Sequence, residues 1–142
     1  MLVLIAALLA CATPTPERLL DQTCREGRCK TTGSARETSG LTADSIGYEL
    51  GPGPGSVTIT VPGHNASTSA DLEVLVKGSG SLVVSTGCTT CSHSIELHDG
   101  WRWEHVAGGF EGTEPLTVVV ETLDDTSRAA LLDVRMNRFL SQ

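Results

Sequence analysis

WRWEHVAGGFEGTEPLTVVVETLDDTSRAALLDVRMNR, residues 101–138, is the stretch whose reading decides the fold. Apolar residues alternate in it. Leu116, Val118 and Val120 share one side of a segment whose other side carries Thr117 and Glu121; Ala130, Leu132, Val134 and Met136 then stand against Asp133, Arg135 and Asn137. A period of two is the geometry of a strand, whose successive side chains point to opposite faces, whereas a helix spaces its apolar residues three and four apart. The stretch therefore predicts three strands, each with one face turned to a core.

Upstream the same pattern recurs between turn residues. Strands are expected at 45–50, 56–61, 71–77, 81–86, 94–98, 101–107, 115–122 and 128–138, punctuated by Gly51-Pro52-Gly53-Pro54-Gly55, Pro62-Gly63-His64-Asn65, Gly78-Ser79-Gly80, Asp99-Gly100, Gly108-Gly109 and Asp124-Asp125. About eight short strands at this spacing predict an all-β fold, an antiparallel β-sandwich of jelly-roll type, over residues 45–142. Asp99-Gly100 reads as a two-residue hairpin turn, because Asp-Gly tolerates the positive φ that such turns require. Gly108-Gly109 reads as a bulge or loop.

The N-terminus differs in kind. Residues 1–10, MLVLIAALLA, form an apolar run too short to span a bilayer and match the core of a signal peptide. Leu8-Leu9-Ala10-Cys11 resembles the lipobox of bacterial lipoproteins, in which the cysteine is acylated and becomes the new N-terminus. The resemblance implies lipidation of Cys11, export, and anchoring to the bacterial cell envelope, at the outer membrane or cell surface. Residues 11–44 then read as lipid anchor and flexible tether: Pro14, Pro16, Ser, Thr and mixed charges surround a single apolar pair, Leu19-Leu20, too little to offset the entropy of ordering. Within the tether, Cys24-Arg-Glu-Gly-Arg-Cys29 is a turn that two cysteines can close.

Composition limits the function. With 10 Lys and Arg against 17 Asp and Glu, a net charge of −7, and no basic stripe, the chain lacks what nucleic-acid binding needs, which is clustered cations that displace counterions. No Gly-x-Ser-x-Gly elbow occurs, and His64, His93, His98 and His105 are scattered, so hydrolytic catalysis has little support. Setting Cys11 aside leaves Cys24, Cys29, Cys88 and Cys91, an even number in a chain read as exported. That favours two disulfides, and short loops favour local pairing, Cys24 with Cys29 and Cys88 with Cys91. Pairing across the two motifs, zinc held by the cysteines with His93, and a thiol-redox role remain as alternatives. No cofactor or metal is expected.

The order Leu72–Ser85 around Lys77-Gly-Ser-Gly80, then Trp103-Glu-His-Val106 with Phe110, then Pro115–Glu121, then Leu131–Met136, resembles the galactose-binding-like jelly roll found in many carbohydrate-binding modules. The resemblance covers residues 71–139. It implies a carbohydrate ligand, and it directs attention to Asp133, which stands alone where the family commonly has two acidic residues.

Aromatic residues are the candidate ligand contacts. Trp101, Trp103 and His105 project to one side of their strand and Arg102 and Glu104 to the other, so the two rings are available together or buried together. Beside the loop 51–55 they would offer a sugar a stacking platform, with Tyr48 as a third candidate. Two functions follow from different classes: a non-catalytic envelope module binding carbohydrate or another envelope protein, and a structural envelope lipoprotein with no small-molecule ligand.

Overall fold

The computed structural model describes residues 17–38, 45–61, 68–86, 91–111 and 115–140. Cys11, Cys88, the apolar run 1–10 and the turn 62–65 lie outside them. The elements are β1 (Glu17–Arg18), α1 (Leu20–Arg25), β2 (Cys29–Gly33), β3 (Arg36–Thr38), β4 (Gly47–Leu50), β5 (Gly55–Val61), β6 (Thr68–Ser79), β7 (Ser81–Ser85), β8 (Ser92–Glu96), β9 (Arg102–Glu111), β10 (Leu116–Thr122) and β11 (Arg128–Leu140).

They form two antiparallel sheets. One runs β3-β4-β11-β6-β9 with β1 also paired to β11; the other runs β2-β5-β10-β7-β8. From β4 onward every connection except β7–β8 crosses between the sheets, the winding of a jelly roll, and the eight strands match the eight expected segments to within a few residues. Between the sheets lies the core. Val57, Ile59, Val118, Val120, Leu82 and Val84 from one sheet meet Leu72, Val74, Leu131 and Val134 from the other, all fully buried. Each enters through its strand's alternation, seen most plainly in β5, where buried and half-buried positions alternate without a break.

Two local expectations change. The Asp99-Gly100 hairpin is not formed: β8 pairs with β7 in one sheet and β9 with β6 in the other, so this turn carries the chain across the sandwich, and Gly100 is not among the glycines with positive φ. Gly78-Ser79-Gly80 likewise joins β6 to β7 across the two sheets. At Gly80, φ is +88° and a β-carbon would collide with Ser127, so glycine is required there. In β11 the alternation slips: the register against β6 jumps between Leu131 and Asp133, so Leu131 and not Leu132 enters the core, while Val134 and Met136 keep their expected face. A bulge places one extra residue on one strand and inverts the facing of everything on one side of it, which the apolar Leu131-Leu132 pair conceals. The bulge expected at Gly108-Gly109 is present, as a register shift opposite residues 70–72.

The largest difference is at the N-terminal end. Residues 17–38 are not a tether but part of the sandwich: β1 adds to β11, β2 to β5 and β3 to β4. Leu20 is fully buried and Leu19 nearly so. The two leucines plug the core, and their order is reinforced by tertiary partners. Leu19 N–H donates to the Val134 carbonyl at 2.8 Å. Helix α1 has no side-chain cap of its own, and the carboxylate of Asp133 in β11 takes that place, accepting from Leu20 N–H at 3.3 Å and Val134 N–H at 2.8 Å while pairing with Arg18 Nε at 2.6 Å. Cys24 and Cys29 are joined by a disulfide that closes the turn between α1 and β2, the expected local bridge. Cys91 is also disulfide-bonded, with its partner cysteine outside the described residues.

Candidate functional site

The outer face of the six-stranded sheet carries the residues that matter. Directly opposed residues on neighbouring strands share a face, so the register Arg36↔Glu49, Glu49↔Ala130 and Ala130↔Lys77 sets these four side chains in one row across β3, β4, β11 and β6. Because Val76 opposes Arg102, the residue facing Lys77 is Trp101, at the entry to β9, and the Lys77 ammonium lies 4.9 Å from its ring centroid. Further along the sheet, Leu75 opposes Trp103, and Glu73 opposes both Arg135 and His105.

Both tryptophans are therefore on the side of the sheet away from the core, half-buried, as the strand alternation requires once Val74 and Val76 face inward. Their surroundings differ. Trp103 lies beneath the Arg135 guanidinium at 4.0 Å, with Arg18 at 5.8 Å, and Arg135 is held in a two-point fork by Glu73 at 3.0 and 3.2 Å. That face of the ring is occupied by the protein. Over Trp101, among the described residues, the one cation is the Lys77 ammonium. Tyr48 is not on this face. It opposes Leu131 in the core at 3% exposure, where burial pushes its phenol above the ordinary value and the Glu37 carboxylate opposite it adds to the effect. A ring buried there is not available for stacking on a ligand, and the alternation of Tyr48 with Leu50 about Glu49 is the sign of it in the sequence.

Along the row is a cleft of about 310 Å³, at the lower end of the roughly 300–1,000 Å³ of small-molecule pockets. Ala129 and Ala130 help to line it, and the small side chain of Ala130, between Glu49 and Lys77 in the row, leaves a depression among larger neighbours. Arg36, Glu49, Lys77, Asp99 and Arg128 provide its polar groups, and Gly51 and Pro52 form one wall. That wall is fixed from two sides. Ser34 Oγ accepts from Gly51 N–H at 2.8 Å and donates to the Gly53 carbonyl at 2.7 Å, and the Thr122 hydroxyl donates to the same carbonyl at 3.1 Å. Gly51 has φ +88°, and a β-carbon there would press on the Ser127 carbonyl, so the loop approaches β11 as closely as it does only with glycine. Arg36 is positioned by Glu49 Oε2 at 2.9 Å and the Gly51 carbonyl at 3.3 Å.

The start of β11, which presents Arg128, is held by Asp124. Its carboxylate accepts from Ser127 N–H at 2.6 Å, from the Ser127 hydroxyl at 2.8 Å and from Thr126 N–H at 3.0 Å. Those bonds, the Ser127 backbone amide first, hold the Asp124 carboxyl below the usual carboxylate range. Ser127 Oγ in turn accepts from Ser81 N–H at 3.0 Å, so one buried hydroxyl ties the β10–β11 turn to the β6–β7 crossing.

The loop 51–55 singled out in the sequence thus borders the site, and Trp101 reaches it through Lys77; Trp103 and Tyr48 do not. Sequence reasoning missed Arg36, Glu49, Lys77, Asp99 and Arg128, five residues drawn from five separate stretches. Only the strand register brings them together. His93, His98 and His105 lie on β8, after β8 and on β9, none of them lining the cleft. Among the described residues, no group of three or more His, Cys, Asp or Glu is placed to hold a metal ion. Asp133, the acidic residue that the family resemblance brought forward, is engaged with Arg18 and Leu20.

No family model and no curated protein matches the sequence. Solved structures do. The chain is similar to the module TmCBM61 in complex with β-1,4-galactotriose, at 10% identity and a TM-score of 0.52, covering 78% of this chain and 88% of that one. It is similar to the carbohydrate-binding module CBM36 in complex with calcium and xylotriose, at 13% identity and a TM-score of 0.50, covering 89% and 100%. It is also similar to a family two carbohydrate esterase from Cellvibrio japonicus, at 12% identity and a TM-score of 0.53, covering 87% of this chain but only 33% of the esterase. At these identities the likeness concerns the fold: the chain is an all-β sandwich of the architecture that carbohydrate-binding modules have.

Proposed function

We infer that this chain is a non-catalytic glycan-binding module, with its ligand in the cleft beside Trp101. The observation that carries the reading is the combination of a depression over Ala130, five charged side chains able to donate to and accept from hydroxyls, and an aromatic ring, Trp101, in contact with one of them, Lys77. A sugar ring asks for this combination, because its C–H face packs on an aromatic ring while its hydroxyls need directed polar partners. The structural likeness to two carbohydrate-binding modules supports the reading; the likeness to a third of an esterase leaves whole-enzyme activity with that protein. Trp101 is the ring we assign to the ligand, since Lys77 swings aside at the cost of one surface cation–π contact, about 0.5–1 kcal/mol, whereas Trp103 is locked beneath Arg135. Export and lipid anchoring through Cys11 complete the proposal and rest on the N-terminal sequence. A structural envelope lipoprotein without a ligand is the second reading, favoured by the occupied face of Trp103. A glycan array probed with wild-type protein and Trp101→Ala decides between them. Binding by the wild type that the variant loses while keeping its melting temperature supports the module; an array blank for the wild type leaves the structural reading.

A further inference from the structure

We propose that the cleft selects an acidic sugar, and that Arg128 receives the carboxylate of a uronic acid residue; this rests on the glycan-binding reading above. The cleft is a positive spot on an acidic chain. Three cations, Arg36, Lys77 and Arg128, and two carboxylates, Glu49 and Asp99, line it, whereas the whole chain carries −7. The five charges are not equivalent. Arg36 and Glu49 satisfy each other at 2.9 Å, and Lys77 is engaged with the Trp101 ring. Arg128 is exposed, and its guanidinium has, among the described residues, neither an ion-pair nor a hydrogen-bond partner.

Its backbone is nevertheless held firmly. Asp124 holds the two residues before it, Thr126 and Ser127, and the Arg128–Ser79 and Ala129–Gly78 pairings fix its strand. A guanidinium that is left unpaired on a fixed strand start, facing a depression, suits a planar anion that accepts two parallel N–H bonds, and a carboxylate has that geometry. Trp101 and Lys77 stand across the row from Arg128's neighbour Ala130, so a pyranose lying over the alanine floor has the ring on one side and the guanidinium on another. Asp99, likewise without an ion-pair partner among the described residues, is left to accept from sugar hydroxyls. The surplus of cations also concentrates anions at the cleft mouth against the field of the acidic chain.

The test is titration calorimetry of the full chain with oligogalacturonate and oligoglucuronate, each beside its methyl ester, which keeps the ring and removes the charge. Arg128→Gln is compared with Arg102→Gln, an exposed arginine of the same sheet outside the cleft. The expected result is binding of at least one acid about ten- to a hundredfold tighter than its ester, with the preference lost in Arg128→Gln and kept in Arg102→Gln. Equal affinity for acid and ester, or a preference that survives Arg128→Gln, overturns the acidic-sugar assignment while leaving glycan binding intact. Failure to bind acid, ester or any neutral glycan of the array overturns both.

Discussion

Replacing Asp133 with alanine should loosen the N-terminal segment from the sandwich and lower the stability of the whole domain. The carboxylate is 11% exposed and serves three donors: Arg18 Nε, Leu20 N–H and Val134 N–H. The ion pair contributes little, because the Arg18 side chain is 60% exposed and water screens it, so we assign it well under about 1 kcal/mol. The two amides dominate. Both belong to buried residues, and a buried donor left without an acceptor costs about 1–3 kcal/mol, less where the original bond is long, as it is at Leu20. A total loss of about 2–4 kcal/mol follows. For 142 residues at about 2.1 cal/mol/K each, the unfolding entropy is about 0.3 kcal/mol/K, so the midpoint should fall by about 7–13 °C. Asp133→Asn retains an acceptor and should lose less than half of that. Calorimetry gives the midpoint, and amide exchange at Leu19, Leu20 and Thr23 gives the location: exchange there should quicken in Asp133→Ala before it quickens in β10. An unchanged midpoint, with the Leu20 amide already exchanging freely in the wild type, would refute the reasoning and return residues 17–38 to the status of a tether.

Leu131→Ala and Leu132→Ala test the bulge in β11: the first should cost about 2–5 kcal/mol as a core truncation and the second under about 1.5 kcal/mol, and equal losses in urea melts would mean that the register is wrong. Acid should act on the turn at Asp124. Its carboxyl is held below the ordinary aspartate value of 3.8, so its contribution is complete above that value and is lost as pH falls through the lowered one; Asp124→Asn should flatten the fall in stability below about pH 4, and an unaltered pH profile would count against the turn network. Trp103→Ala should destabilise more than Trp101→Ala because it also strands the Arg135–Glu73 fork, and thermal melts in which Trp101→Ala is the worse variant would reverse the assignment of roles. Wild-type protein expressed with its own N-terminus should enter the detergent phase and Cys11→Ser should not; partition of both into water removes the lipid anchor from the proposal.

The strands were legible in the sequence because each is a local object. Alternation of Val57, Ile59 and Val61, or of Val118 and Val120, is dictated by the pleat of one strand and needs no knowledge of its neighbours, and Gly-Pro clusters end strands for reasons internal to the chain. The Cys24–Cys29 bridge was legible for the same reason, since five residues of separation keep the two thiols close in any compact turn. What failed locally was pairing. Asp99-Gly100 looks the same whether it closes a hairpin or crosses between sheets, and Leu131-Leu132 gives no sign of which leucine the bulge turns inward.

Residues 17–38 were misread because their order comes from elsewhere. Leu19 and Leu20 are too few to fold on their own, but the core supplies the rest of their burial, and Asp133, more than a hundred residues away in the chain, caps their helix. The cleft has the same origin. Arg36, Glu49, Lys77 and Arg128 are ordinary surface charges in sequence; register alone sets Arg36, Glu49 and Lys77 in one row and brings Arg128 beside it. The sequence by itself determined strands, turns and the cysteine bridge, whose energetics are short-range. Tertiary structure decided the sheet order, the fate of the N-terminal segment and the place of the site, because these depend on contacts between residues whose separation along the chain carries no information about their separation in space.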